Sequence, residues 1–103
     1  MTKNELEIRF GDVFTHLYQG RSKNYVILEL GEDYRFKAAQ VIRIEGKEAL
    51  GIGGTSYRDD IEKIVGSWSL ARIINAINNN YGVSESMLRF LKENEQKPPR
   101  KIS

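Results

Sequence analysis

Tyr34-Arg35-Phe36-Lys37-Ala38-Ala39-Gln40-Val41-Ile42-Arg43-Ile44-Glu45 is the stretch on which the fold turns. Tyr34, Phe36, Ala38, Ile42 and Ile44 fall on one face, with Gln40 as the only polar member, and Arg35, Lys37, Arg43 and Glu45 lie opposite. That period of two is a half-buried β-strand. Twelve residues is long for a single strand, so a bend or bulge is expected near Ala38-Ala39-Gln40, curling the sheet toward a barrel.

The same rhythm extends toward the N-terminus. Leu6, Ile8 and Phe10 alternate with charged residues, Gly11-Asp12 is a turn signal, and Val13 to Tyr18 reads as a second strand. Residues 19–24 hold no apolar side chain and read as a loop. Tyr25 to Leu30 reads as the next strand, with Val26, Leu28 and Leu30 on its buried face. Gly31-Glu32-Asp33 and Gly46-Lys47 are expected connections, and Ala49 to Ile52 a short strand. Residues 55–68 leave two readings open. Ile61, Ile64, Val65 and Trp68 have helical spacing, whereas Ile64-Val65 before Gly66 suits a closing strand. The strand is favoured, because an open sheet leaves unpaired edges.

Beyond Trp68 the period lengthens. Ser69 is a candidate N-cap, and Leu70, Ile73, Ile74, Ile77 and Tyr81 form one helical stripe ending at Gly82. Ser84 is a second cap candidate ahead of Met87, Leu88 and Leu91. Pro98-Pro99 forbids continuation. The expected fold class is α+β: a curled antiparallel sheet or small SH3-like barrel over 5–66, then a C-terminal helical hairpin over 69–95. Residues 1–96 form one domain and 97–103 a flexible basic tail.

The chain has 103 residues and no cysteine, which excludes disulfides and thiolate chemistry. Residues 1–66 hold ten Lys/Arg against eleven Asp/Glu, and residues 67–103 hold six against three. The folded part is therefore near neutral, unlike a dedicated duplex binder. No segment has the apolar core of a signal peptide or the ~20 residues of a bilayer span. The expectation is a cytoplasmic protein without a membrane partner.

Each candidate for chemistry competes with a plainer role. His16 has no marked nucleophile or carboxylate partner, so no catalytic residue is assigned. Asp59-Asp60 with Glu62 suits a charged turn better than a chelate, so neither metal nor cofactor is expected. Gly51-Ile52-Gly53-Gly54-Thr55-Ser56 is the best local anion cradle, although it lacks the lysine of a P-loop. Gly53, Gly54, Thr55, Ser56, Tyr57 and Arg58 are its candidate ligand-binding residues. Arg21, Lys23, Tyr25, Arg35, Lys37 and Arg43 are candidates for a basic, aromatic nucleic-acid face. Trp68 is expected in the core, pinning helices to sheet.

Gly11-Asp12-Val13-Phe14, a loop, Tyr25 to Leu30 and then a long bent strand resemble the opening of small SH3-like barrels, over about residues 8–66. Ile61 to Gly66 would take the place of a late barrel strand. Size and appended helices resemble accessory proteins of bacteria, phages and prophages. The resemblance implies many binding functions and no catalytic residue. The leading expectation is a non-enzymatic regulatory or inhibitory module acting through a protein partner, or as a homodimer. The alternatives are nucleic-acid binding through the basic, aromatic set, and capture of a phosphorylated small molecule at the glycine-rich segment.

Overall fold

The computed structural model describes residues 6–31, 35–51, 54–79, 91 and 93–102. Their order is β1 Leu6–Ile8, β2 Asp12–Tyr18, β3 Arg21–Leu30, β4 Arg35–Ile44, β5 Lys47–Leu50, β6 Gly54–Tyr57, a 3-10 turn Arg58–Asp60, β7 Lys63–Ser67, α1 Leu70–Asn78 and β8 Arg100–Ile102. The protein is α+β, mostly antiparallel sheet. The main sheet runs β5-β4-β3-β2-β7, with β6 also on β4.

The long strand β4 behaves as its length demands. Its first half pairs with β6 from Arg35↔Tyr57 to Ala38↔Gly54, and its second half pairs with β5 from Val41↔Leu50 to Ile44↔Lys47. One edge is thus shared by two short strands, and the handover falls at Ala39-Gln40. The irregularity itself sits across the sheet in β3. There Ile27 pairs with Ala38 and Glu29 with Lys37, which leaves Leu28 as an extra residue.

That bulge corrects the expectation that Val26, Leu28 and Leu30 share a face. Val26 and Leu28 join a core with Val13, Ala39, Leu50, Trp68, Ile73, Ala76, Ile77 and Leu91. Leu30 joins the opposite core, with Ile8, Phe14, Ile27, Phe36, Ala38, Ile61 and Ile102. An inserted residue reverses the alternation beyond it. The sheet is therefore a middle layer, buried on both faces near its centre. Val26, Ile27 and Leu28 are consecutively buried, as happens only when both faces are covered.

The helix covers one face. Ser69 caps α1, its hydroxyl accepting from the Arg72 amide at 3.2 Å. Ile73, Ala76 and Ile77 are buried beneath it, and Trp68 packs in the same core, as its position at the junction suggests. Tyr81, Gly82, Ser84, Met87 and Leu88 lie outside the described residues, as do Glu32, Asp33 and Tyr34. Leu91 and residues 93–95 have helical backbone, where the second helix is expected. From there the buried Asn94 accepts the Leu30 amide at 2.9 Å through its side-chain oxygen.

Two further expectations are corrected. Residues 19–24 are not a loop: Gln19-Gly20 makes a two-residue turn, and β3 begins at Arg21. Both turn residues have positive φ, 50° and 76°, the geometry that keeps a tight hairpin twisted with its strands. The residues expected as a flexible tail carry β8, which pairs with β1 from Leu6↔Ile102 to Ile8↔Arg100 and buries Ile102. Apolar burial at that one position outweighs the surrounding charge. The sheet is also not closed into a barrel. β7 returns to β2, but β6 and β7 are not paired with each other among the described residues.

Gly11 locks β2 to the start of the helical layer. It has φ 87°, its amide donates to Ile27 O at 2.8 Å, and its carbonyl accepts from Trp68 N at 2.8 Å. A Cβ there would stand 2.5 Å from the Trp68 carbonyl oxygen, which is backbone and cannot swing away. Beside it the buried Asp12 carboxylate accepts the Arg9 amide at 2.9 Å. Burial pushes its carboxyl above the usual range, and the Arg9 amide only partly offsets this. Replacing Gly11 with alanine combines a left-handed backbone penalty with a clash, and is expected to lower unfolding stability by about 2–4 kcal/mol. Urea denaturation of the two proteins measures it.

Candidate functional site

Side chains directly opposite in an antiparallel pair share a face. The registers Phe14↔Tyr25, His16↔Lys23 and Tyr18↔Arg21 therefore put six ring-bearing or cationic side chains on one face of the β2–β3 hairpin. Phe14 and Tyr25 stack with centroids 5.6 Å apart, and His16 and Tyr18 lie near-parallel at 6.3 Å.

The outer part of this hairpin stands clear of the sheet. Pairing of β7 with β2 ends at Thr15↔Lys63, and pairing of β4 with β3 ends at Tyr25↔Gln40. Leu17 to Asn24 are all exposed. They form a two-stranded ribbon with no sheet partner on either edge among the described residues. Leu17 is 58% exposed and Tyr18 57%, on opposite faces of the ribbon. The side-chain hydrogen bond from the ribbon to the rest of the described residues is a long one, Ser22 Oγ to Glu62 Oε2 at 3.4 Å. The sequence between Asp12 and Glu29 contains no acidic residue, so the ribbon carries Arg21 and Lys23 uncompensated along its own chain.

At the ribbon's root lies a cavity of about 150 Å³, lined by Phe14, His16, Tyr25, Ser56 and Asp60. It occupies the opening between the inner sheet face and the β6–turn segment. His16 Nδ1 is 2.8 Å from the Asp60 carbonyl oxygen. A carbonyl only accepts, so Nδ1 carries the proton and donates it. Asp60 Oδ2 accepts the Tyr57 amide at 2.7 Å, and Asp60 Oδ1 is 4.0 Å from His16 Nδ1. His16 and Asp60 thus fasten the 3-10 turn to the sheet. Among the described residues no three His, Cys, Asp or Glu side chains gather as metal ligands.

The registers divide the expected nucleic-acid set. Arg21, Lys23 and Tyr25 share the ribbon face. Arg35, Lys37 and Arg43 have the opposite parity from Phe36, Ala38 and Gln40, and lie on the helix side of the sheet. Lys37 is paired there with Glu29 at 3.5 Å, and Arg43 donates to Gly46 O at 3.0 Å. The expected anion loop is also changed. Gly54, Thr55, Ser56 and Tyr57 form β6 and spend that segment on pairing with β4. Of that set Ser56 lines the cavity, Arg58 starts the 3-10 turn, and Gly53 lies outside the described residues. Sequence reading missed Phe14 and Tyr18 as members of the site and left His16 isolated. Their signal is aromatic alternation at even positions opposite Arg21, Lys23 and Tyr25 at odd ones.

A second cluster fixes the helix. Arg72 grips Glu48 through a two-pronged pair at 2.9 and 2.8 Å, while its guanidinium lies 4.1 Å over the Trp68 ring. Asn79 Nδ2 donates to Glu48 O at 2.8 Å. These contacts tie both ends of α1 to β5 and are satisfied among themselves.

No protein-family model, curated protein or solved structure matches this chain. No helix among the described residues is long and apolar enough to cross a membrane.

The Arg72 hydrogen bond holds the Glu48 carboxyl below the usual glutamate range, against an opposing desolvation effect. A depressed folded value gives stability that is present above the unfolded glutamate value and lost as pH falls through the folded one. NMR titration is expected to show Glu48 ionising below an ordinary glutamate. Arg72→Ala is expected to return it toward the ordinary value and remove that part of the acid dependence.

Proposed function

We propose that the protein is a small regulatory or inhibitory module that acts by docking its β2–β3 ribbon into a cleft on a protein partner, and not by turnover. The observation that carries this reading is the free ribbon itself. Its large apolar side chains, Leu17 and Tyr18, are exposed on opposite faces, and the cations Arg21 and Lys23 share the Tyr18 face. A cleft that wraps both faces uses Leu17 and Tyr18 together. Tyrosine and arginine are also the residues most often found to dominate protein interfaces. Arg21 and Lys23, in a stretch of sequence without acidic residues, fit acidic cleft walls, which speed encounter and fix register.

Three features support an SH3-like origin for the frame: the meander of β2, β3 and β4, the bent β4, and the return of β7 to β2. A small accessory protein of bacterial or phage type, working in the cytoplasm, is the setting this reading fits. Nucleic acid is the second reading. It is favoured by one observation, that rings and cations alternate on a single ribbon face, an arrangement suited to stacking with phosphate contact.

The experiment is photo-crosslinking from position 18 in a lysate of the native host, with and without nuclease, followed by affinity measurement on the captured partner. The protein-docking reading predicts a nuclease-resistant protein adduct, with Tyr18→Ala and Arg21→Ala each weakening binding by about 2 kcal/mol. A nuclease-sensitive adduct whose affinity falls steeply with salt would transfer the proposal to nucleic acid. An adduct between two copies of this chain would make it a homodimer.

A further inference from the structure

The geometry points to the cavity at the ribbon's root as a binding site for a guanidinium or primary ammonium group. Its volume, about 150 Å³, is that of a cavity able to hold a benzene-sized group. Its aromatic walls form a corner. The Tyr25 ring stacks on Phe14 at 17°, and His16 meets Tyr25 edge to face at 87° with centroids 6.0 Å apart. Ring faces attract cations.

The polar lining selects the same chemistry. Because Nδ1 of His16 holds the proton that it donates to the Asp60 carbonyl, the acceptor nitrogen of the imidazole is Nε2. The Asp60 carboxylate accepts at both oxygens: Oδ2 takes the Tyr57 amide, and Oδ1, 4.0 Å from His16 Nδ1, makes no hydrogen bond to it. Ser56 and Tyr25 contribute hydroxyls, which serve either role. The side chains that line the cavity thus hold two dedicated acceptors, one of them charged, and no dedicated donor. An anion would meet the Asp60 carboxylate. A hydrocarbon would leave it and Nε2 unanswered. A planar guanidinium can lie against Tyr25 and give N–H groups to both acceptors. Lys23, directly across from His16 on the same face, is an opposing charge on the ribbon. Its ammonium stands in solvent on the exposed ribbon, where screening blunts it.

Such a group arrives either as a free small cation or as an arginine side chain. The test is an NMR titration of the full chain with methylguanidinium, with the neutral shape match methylurea, and with Nα-acetyl-arginine amide. Methylguanidinium is expected to move the signals of His16, Tyr25, Ser56 and Asp60 saturably, and to bind about tenfold more tightly than methylurea. Asp60→Asn keeps an acceptor for the Tyr57 amide and is expected to weaken the cation about tenfold, with its fold checked by thermal melting. Lys23→Ala is expected to strengthen cation binding while weakening any ribbon-docked partner, so failure of one reading is distinguishable from failure of the other. Tighter binding of the arginine derivative identifies a side chain as the source, and tighter binding of methylguanidinium identifies a free cation. Absence of a saturable shift at these four residues, or equal affinity for methylurea, would overturn the proposal whatever the variants do.

Discussion

One surplus residue in β3 sets the layering of this protein. Leu28 has no counterpart on β4, and the alternation reverses across it. Leu28 turns toward α1, and Leu30 turns toward Phe36 and the β1–β8 pair. Without the bulge, both leucines would face the helix, and the inner core would lose a side chain whose burial contributes about 1.5–3 kcal/mol. The bulge also increases local twist. Opposite it, β4 passes from β6 to β5, so the bent strand and the bulged strand act as one corner.

From that corner the rest follows. A sheet covered on both faces near its centre leaves its outer hairpin uncovered, because neither β7 nor β4 reaches past Thr15 or Tyr25. The hairpin root is held firmly. Gly11 joins β3 to Trp68 through two backbone hydrogen bonds, and His16 fastens the 3-10 turn. Among the described residues the hairpin tip is held by its own cross-strand pairs, its tight turn, the Tyr18–His16 stack and the long Ser22–Glu62 contact. A rigid base with an exposed, cationic and partly apolar end is the physical basis for reading the ribbon as a docking element. The cavity belongs to the same geometry: between the inner face of the unclosed sheet and the β6–turn segment, aromatic rings and a carboxylate line it.

Much of the frame was legible in the sequence because one face of an element was wet. The alternation at the start of β4, where Arg35 and Lys37 are exposed and Phe36 and Ala38 buried, the stripe of α1 and the Ser69 cap all report a single buried face. Three features were hidden for physical reasons. Arg21 to Asn24 are wet on both faces, so a real strand shows no period. Val26 to Leu28 are dry on both faces, and a bulge within such a run leaves no mark. β8 has three residues, too few to display a rhythm beside Pro98-Pro99. The candidate site was legible only in part. Arg21, Lys23 and Tyr25 were found by composition, but only pairing registers separate them from Arg35, Lys37 and Arg43 and join them to Phe14, His16 and Tyr18.

Side-chain direction reverses across Leu28, and NMR contacts from the two leucine side chains test that reversal. NOEs are expected from Leu30 methyls to the Phe36 and Ile102 side chains, and from Leu28 methyls to the Ile73 and Ile77 group beneath α1. NOEs from both leucines to α1 would contradict it, because β3 would then alternate without interruption and the two-core architecture would fall.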